Sequence, residues 1–148
     1  MKKILLAGVV ALIATSASAG EPIGSVDTSW RMIGPNDQIT VERFDDPRVE
    51  NASCYVSRAV KGGVTGAVGL AEDRSRFSIA CRATGPVRIR GDISKQEDVF
   101  NAKTSILFKE MHVTRMYDSV KNVIVYLVWS DRLIDGSPFN SVTAIAVE

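Results

Sequence analysis

Apolar and polar residues alternate along much of the chain, and this period of two is typical of strands with one face toward a core. The alternation is clearest around Cys81, where Phe77, Ile79 and Cys81 alternate with Ser78 and Arg82. The same pattern predicts strands at residues 25–33, 38–44, 54–60, 76–84, 111–117, 122–129 and 141–147.

Two features of these predicted strands bear on the fold. In the first strand, Trp30 and Met32 are expected to share one face. The strand at 122–129 is apolar at both parities, which is typical of a strand covered on both sides. A short turn at 119–122 separates it from the strand at 111–117, so the two are expected to form an antiparallel hairpin.

Helical patterns are rare in this chain. Residues 64–73 and 94–103 are the stretches that favour helix, and both are short. We therefore predict a mainly β domain, an antiparallel sandwich or partly closed barrel with one or two short helices. An α+β arrangement is the alternative.

The first nineteen residues have the organisation of a signal peptide. A basic start precedes an apolar run at 4–13, and Ala17 and Ala19 are small residues suited to a signal peptidase. The run is shorter than the roughly 20 residues that span a bilayer. We expect cleavage between Ala19 and Gly20, which leaves 20–148 as one domain in a bacterial periplasm, without stable membrane insertion.

The charge of the chain is nearly balanced. It carries 18 Lys and Arg residues against 17 Asp and Glu residues, and loss of the leader removes Lys2 and Lys3, which leaves 16 against 17. A nucleic-acid binder would show a basic block, and the sequence has none. Nucleic acid is therefore not an expected partner.

Cys54 and Cys81 are the two cysteines of the chain. In an oxidising periplasm we expect them to form a structural disulfide. Metal binding and a catalytic thiol are the alternatives. The first would need closely spaced further ligands, and the second would need a nearby base.

A glycine-rich stretch, KGGVTGAVGLAED, begins at Lys61 inside the loop that this disulfide would close. It lacks the glycine order of the nucleotide-binding motifs, so no nucleotide cofactor is expected. Gly63 and the glycines that follow every third residue favour close packing against a neighbouring backbone. The alternative is an anion or small-ligand site at Arg58, Lys61, Gly62 and Gly63.

The remaining residues with chemical potential give no recognisable catalytic set. His112 shares a predicted face with Glu110 and polar neighbours, so we expect a solvated side chain. Asp45 and Asp46 lack the spacing of a calcium loop, and we expect no metal site and no cofactor. If the protein were an enzyme, His112, Glu110, Asp45 and Asp46 would be the first suspects.

Several segments resemble one family along most of the chain, from Ile23 to Pro138. They include IGSVDT near the start, then CYVSRA, GGVTGAVGLAED, SIACRATGP and, later, RMYD. In this order they resemble the CreA family, the catabolite regulation protein A family of Gram-negative bacteria. The resemblance implies a periplasmic, β-rich domain with two cysteines, and a name that reflects a gene beside a carbon-source-responsive regulatory pair. It implies no reaction and no catalytic residues.

Three functional hypotheses follow. We prefer a non-catalytic periplasmic module that binds a small molecule or protein partner, with a possible link to carbon-source regulation. A hydrolase-like enzyme with an unrecognised site is the second hypothesis. The third is an envelope-stress or structural accessory protein. A pocket with apolar walls would favour the first, carboxylates converging on His112 the second, and a large apolar patch without a pocket the third.

Overall fold

A computed structural model of the chain describes residues 20–63, 77–103, 110–131 and 139–148. The regular elements within these ranges are strands, which confirms the mainly β prediction over the α+β alternative. They are β1 (Glu21–Asp27), β2 (Gln38–Phe44), β3 (Val49–Val60), β4 (Phe77–Ile89), β5 (Glu97–Lys103), β6 (Glu110–Asp118), β7 (Val123–Ser130) and β8 (Asn140–Ala146).

The strands form two antiparallel sheets that share one core. The first sheet has the order β1-β2-β3-β4 and the second the order β5-β6-β7-β8. Phe44 of the first sheet stacks on Phe100 of the second, with ring centroids 5.1 Å apart, and meets the ring of Tyr126 edge-on at 6.2 Å. The sheets approach each other where the Cys81 amide donates to Thr143 Oγ1 at 3.3 Å. Strand pairing occurs within each of the two described sheets and not between them, so the fold is a sandwich and not a closed barrel.

The predicted disulfide joins Cys54 to Cys81. The two residues lie directly opposite each other on β3 and β4, so the bridge links neighbouring strands of one sheet. Cys54 is buried, with 2% of its surface exposed. A loop of 27 residues closed in this way is expected to contribute roughly 3 to 4 kcal/mol to stability by the chain-entropy account.

The hairpin of β6 and β7 confirms another prediction. Its turn is held by the Asp118 carboxylate, which accepts the backbone N–H groups of Val120 and Lys121 at 3.0 and 3.1 Å. Asn122 completes the turn with a positive φ of 54°, a conformation that asparagine tolerates. The inner face of β7 is fully buried at Tyr126 and its neighbours, whereas the outer face is only half-buried.

The predicted strand at 25–33 is wrong beyond Asp27, where β1 ends. The Thr28 amide donates to the Asp37 carbonyl at 2.7 Å, and the Arg31 amide donates to Asn36 Oδ1 at 2.9 Å. These bonds curl residues 28–37 into a loop. Trp30 and Met32 therefore face solvent and not the core, with 78% and 85% of their surfaces exposed.

The predicted helix at 94–103 is also wrong, because most of it is β5. The Asp92 carboxylate accepts the Ser94 amide at 2.8 Å, a contact that also begins helices, but the chain then pairs with β6. Phe100 packs on Phe44 in the core, and this burial outweighs the helix-favouring composition of the segment.

Two predictions lie outside the described residues. These are the leader at 1–19 and the helix at 64–73, which includes Gly66 and Gly69. In the part of the chain that the structure describes, no helix is both long and apolar enough to cross a bilayer.

Candidate functional site

A polar cluster lies on the outer face of the second sheet, and strand register assembles it. The alternation of β6 places Glu110, His112 and Thr114 on the face away from the core. Register then sets Trp129 of β7 opposite His112. The outer cluster, as we call it, consists of Asp98, Glu110, His112, Thr114, Trp129 and Asp131.

His112 is the centre of this cluster. Its ring stacks on the Trp129 indole, with centroids 4.4 Å apart and 17° between the planes. Nε2 lies 3.1 Å from Asp131 Oδ2, and Nδ1 lies 3.3 Å from Asp98 Oδ2. Only 14% of the side chain is exposed, so the prediction of a solvated histidine is wrong. The face is polar as expected, but its neighbours cover most of His112, whereas the carboxylates of Asp98 and Asp131 remain partly exposed.

Asp98 holds both the histidine and the tryptophan. Trp129 Nε1 donates to Thr114 Oγ1 at 2.8 Å, and that hydroxyl donates to Asp98 Oδ1 at 2.5 Å. The other Asp98 oxygen faces His112 Nδ1, at an ion-pair distance but without hydrogen-bond geometry, so Nδ1 has no hydrogen-bond partner. A bulge in β5 turns Asp98 outward while Phe100 points inward. The cluster is therefore organised before any ligand arrives.

Two further carboxylates complete the cluster at the end of the hairpin. Asp131 directly follows β7, and its amide donates to the Glu110 carbonyl at 3.1 Å, which brings the two residues side by side. One ligand atom each from Glu110, His112 and Asp131 lie within 4.8 Å of one another. These groups could hold a metal ion or another cation, and sequence reasoning had expected no metal site.

At the alternative anion or small-ligand site of the glycine stretch, most hydrogen-bond donors are already bonded within the protein. The Gly62 amide donates to Asp37 Oδ1 at 2.8 Å, and the Gly63 amide donates to the Pro35 carbonyl at 2.7 Å. Arg58 is paired with Glu42 at 2.7 Å. Lys61 is exposed, and the structure gives it no described partner.

Gly62 and Gly63 are required for two different structural reasons. A Cβ at Gly62 would lie 1.9 Å from the Pro35 carbonyl oxygen, and Gly63 has a positive φ of 76°. Close packing against backbone is thus found at Gly62, whereas Gly63 is explained by its backbone conformation in the turn after β3. Gly66 and Gly69, for which close packing was also expected, lie outside the described residues.

The loop at 28–37 presents apolar side chains beside a network of internal hydrogen bonds. Arg31 binds Asp37 through both its Nε and Nη2 atoms, and Ser29 Oγ donates to the same carboxylate at 2.8 Å. Hydrogen bonds from Arg31, the Gly62 amide and Ser29 hold the pKa of Asp37 well below its usual range. Trp30, Met32 and Ile33 project into solvent beside this network.

Asp45 and Asp46 do not join the outer cluster. Asp45 is exposed and accepts a hydrogen bond from Ser53 Oγ at 2.8 Å. Asp46 is buried and binds Arg115 Nη1 through both of its oxygens, at 2.8 and 2.7 Å. Arg115 lies on the inner face of β6, so Asp46 and His112 are on opposite sides of this strand.

Asp46 also anchors Tyr126, whose hydroxyl donates to Asp46 Oδ2 at 3.0 Å. Burial, and then the nearby Asp46 carboxylate, raise the pKa of Tyr126 above its ordinary value. A shallow, polar depression lies outside this network, lined by Asp46, Pro47, Val49, Glu50, Asn51 and Arg90. The Asp46 oxygens at its base are already bonded, which makes them poor ligand contacts.

The family model described as CreA protein matches residues 23–148. The chain belongs to the CreA family. Protein CreA of Escherichia coli strain K12 is 48% identical over 131 residues, which cover 86% of this chain and 83% of the relative. Protein CreA of the E. coli strains O6:H1 and O157:H7 matches to the same extent. No solved structure matches this CreA-family chain.

Proposed function

We propose that this CreA-family protein is a non-catalytic binding module of the bacterial periplasm, and that the outer cluster is its binding site. The observation that carries the proposal is an organised group with excess acceptors. Three carboxylates surround His112, and no Lys or Arg within the described side chains forms an ion pair with any of them. Such a group suits a ligand that brings positive charge. A role in carbon-source regulation is part of the same proposal, and its support is family membership alone.

A second candidate is an acid–base enzyme, and the convergence of carboxylates on His112 favours it. A carboxylate beside His112 Nδ1 resembles the orienting group of catalytic histidines. The other ring nitrogen, however, faces Asp131 and not a hydroxyl or thiol, so the contact lacks a nucleophile. We therefore place binding before catalysis.

One experiment separates these functions. Purified protein is incubated with a periplasmic extract, and both the bound fraction and the remaining extract are measured by mass spectrometry. The His112→Gln variant is compared with wild type. The control is Glu50→Gln, a change to the same residue on the first sheet, away from the outer cluster. A binding module retains a species that His112→Gln loses and leaves the extract otherwise unchanged. An enzyme converts one species into another in a His112-dependent manner. If His112→Gln changes neither fraction, the proposed site is wrong.

The location is tested separately. Intact-mass measurement of protein released from the periplasm should give a chain that begins at Gly20. A chain found in the periplasmic fraction with residues 1–19 still attached would contradict cleavage. Absence from that fraction would contradict the location.

A further inference from the structure

We infer that Glu110, His112 and Asp131 bind a divalent transition-metal ion of the zinc class. The inference names the ligand of the outer cluster and therefore rests on the proposed function. It departs from the expectation of no metal site. Glu110 shares a strand face with His112, but Asp131 reaches them only through the pairing of β6 with β7.

The spacing of the donor atoms is close to that of a zinc site. Zinc lies about 2.0–2.2 Å from imidazole nitrogen and carboxylate oxygen, so two of its ligand atoms are about 3.3–3.6 Å apart in a tetrahedral site and never more than about 4.4 Å apart. The three donor atoms of the cluster lie within 4.8 Å of one another. Both carboxylates are partly exposed, and Asp131 follows the end of β7, so side-chain rotation can close the remaining gap.

The surroundings of the imidazole favour ligation through Nε2. Asp98 faces Nδ1, which is the position that an orienting carboxylate takes at many histidine–metal sites. With a metal on Nε2, the proton stays on Nδ1 and can be donated to Asp98. Thr114 holds Asp98 by a hydrogen bond and accepts one from Trp129. The Trp129 indole fixes the plane of the imidazole by stacking on it. Asp98 is thus a positioning residue, and Nδ1, which has no hydrogen-bond partner in this structure, gains one.

The donor types select the class of ion. One imidazole nitrogen with two carboxylates suits zinc and its neighbours in the first transition row. Calcium takes six to eight oxygen ligands, and magnesium retains water in preference to imidazole, so both should bind poorly. Thiolate ligation is excluded because both cysteines form the disulfide.

The test is calorimetric titration of Zn²⁺ into the mature, tag-free protein. We expect one ion per chain, with calcium and magnesium giving no comparable signal. His112→Gln should lower the association constant by about 100-fold or more. Asp98→Asn should lower it by about 10- to 100-fold, as for other orienting carboxylates. Asp98→Glu should restore part of the affinity. Glu50→Gln, the matched change on the first sheet, should have no effect.

Several results would overturn the inference. They are no Zn²⁺ binding by wild type, equal binding by His112→Gln, or an Asp98→Asn protein with unchanged affinity. Glu110→Gln gives a second ligand variant if His112→Gln fails to fold, and equal Zn²⁺ affinity in that variant would also count against the site. If Zn²⁺ fails to bind but the extract experiment still shows a His112-dependent species, only the metal inference fails. If both signals are absent, the proposed function fails as well.

Discussion

The two faces of strand β6 carry polar groups with opposite characters. On the inner face, Arg115 donates to Asp46 and to Glu97, so its positive charge is matched by carboxylates of the protein itself. On the outer face, His112 is surrounded by carboxylates that outnumber its single possible charge. Groups matched within the protein hold the fold, whereas an organised excess of acceptors leaves capacity for a ligand.

The inner network of Arg115, Asp46 and Tyr126 is excluded from solvent, so breaking it should destabilise the protein strongly. The side chains of Arg115 and Asp46 are each only 1% exposed, and Tyr126 adds a hydrogen bond to the same carboxylate. Desolvation of both ions offsets much of their attraction, so the pair need not add much net stability. Removing one partner, however, would leave the other charged and buried.

Arg115→Met should therefore have the largest effect on stability. We expect a loss of about 3–5 kcal/mol in the free energy of unfolding, because Asp46 would remain in the core without its cation. Arg82→Met, at an exposed position of β4, is the control and should change stability by no more than about 0.5 kcal/mol. Urea denaturation measures both. Similar losses in the free energy of unfolding for the two variants would contradict a structural role of the inner network.

Cys54→Ser extends the comparison to the inner face of the first sheet. Loss of the bridge should cost about 2–5 kcal/mol, the usual range for a native disulfide in a small domain. Thermal melts with and without reductant provide the measurement. Reduced wild type should match the variant, and a variant as stable as oxidised wild type would contradict the account.

Gly62→Ala tests whether Gly62, whose amide is bonded to Asp37, serves the fold or a ligand site. The added Cβ would meet backbone at Pro35, so we expect a loss of roughly 1–3 kcal/mol, as for other overpacked sites. Lys61→Ala is the neighbouring control at an exposed position, and chemical denaturation compares the two. If Gly62→Ala is as stable as wild type but binds different species from periplasmic extract, the glycine stretch forms a ligand site and does not serve packing.

His112→Gln should have the smallest effect on the metal-free protein, about 1 kcal/mol or less. Partly exposed ion pairs and one ring contact contribute little. Zn²⁺ at 100 times its Kd should then stabilise wild type by about 2.7 kcal/mol and leave the variant unchanged. Melting curves at fixed zinc concentration measure the difference. Equal stabilisation of both proteins would place the ion elsewhere.

Much of the fold could be predicted from alternation, because strands with one buried face impose a period of two. The approach failed where side chains compete with the ladder, as in the loop where Asp37 binds Arg31 and the Gly62 amide. It failed again at β5, where local composition favours helix but Phe100 is needed in the core. Neither competition can be seen in a short window of sequence.

The disulfide followed from the expected compartment, but the outer cluster did not follow from any motif. The alternation of residues along the strand alone placed His112 on a polar face, and this suggested that its side chain is exposed to water. One signal was available, since counting outward from the turn at 119–122 sets Trp129 opposite His112. Asp98 could not be found in this way, because it lay in a predicted helix and owes its direction to a bulge. Arg115 was missed for a related reason, since a charged residue on an inward face has no sequence signal of its partner.

The central claim is that His112 is held for ligation and not merely for packing. The chain has a single histidine, so long-range ¹H–¹⁵N NMR of the imidazole reports on this residue without assignment. On titration with Zn²⁺, the Nε2 resonance should move to the position of a metal-bound nitrogen, while Nδ1 keeps its proton toward Asp98. Unchanged imidazole resonances at saturating Zn²⁺ would contradict the claim.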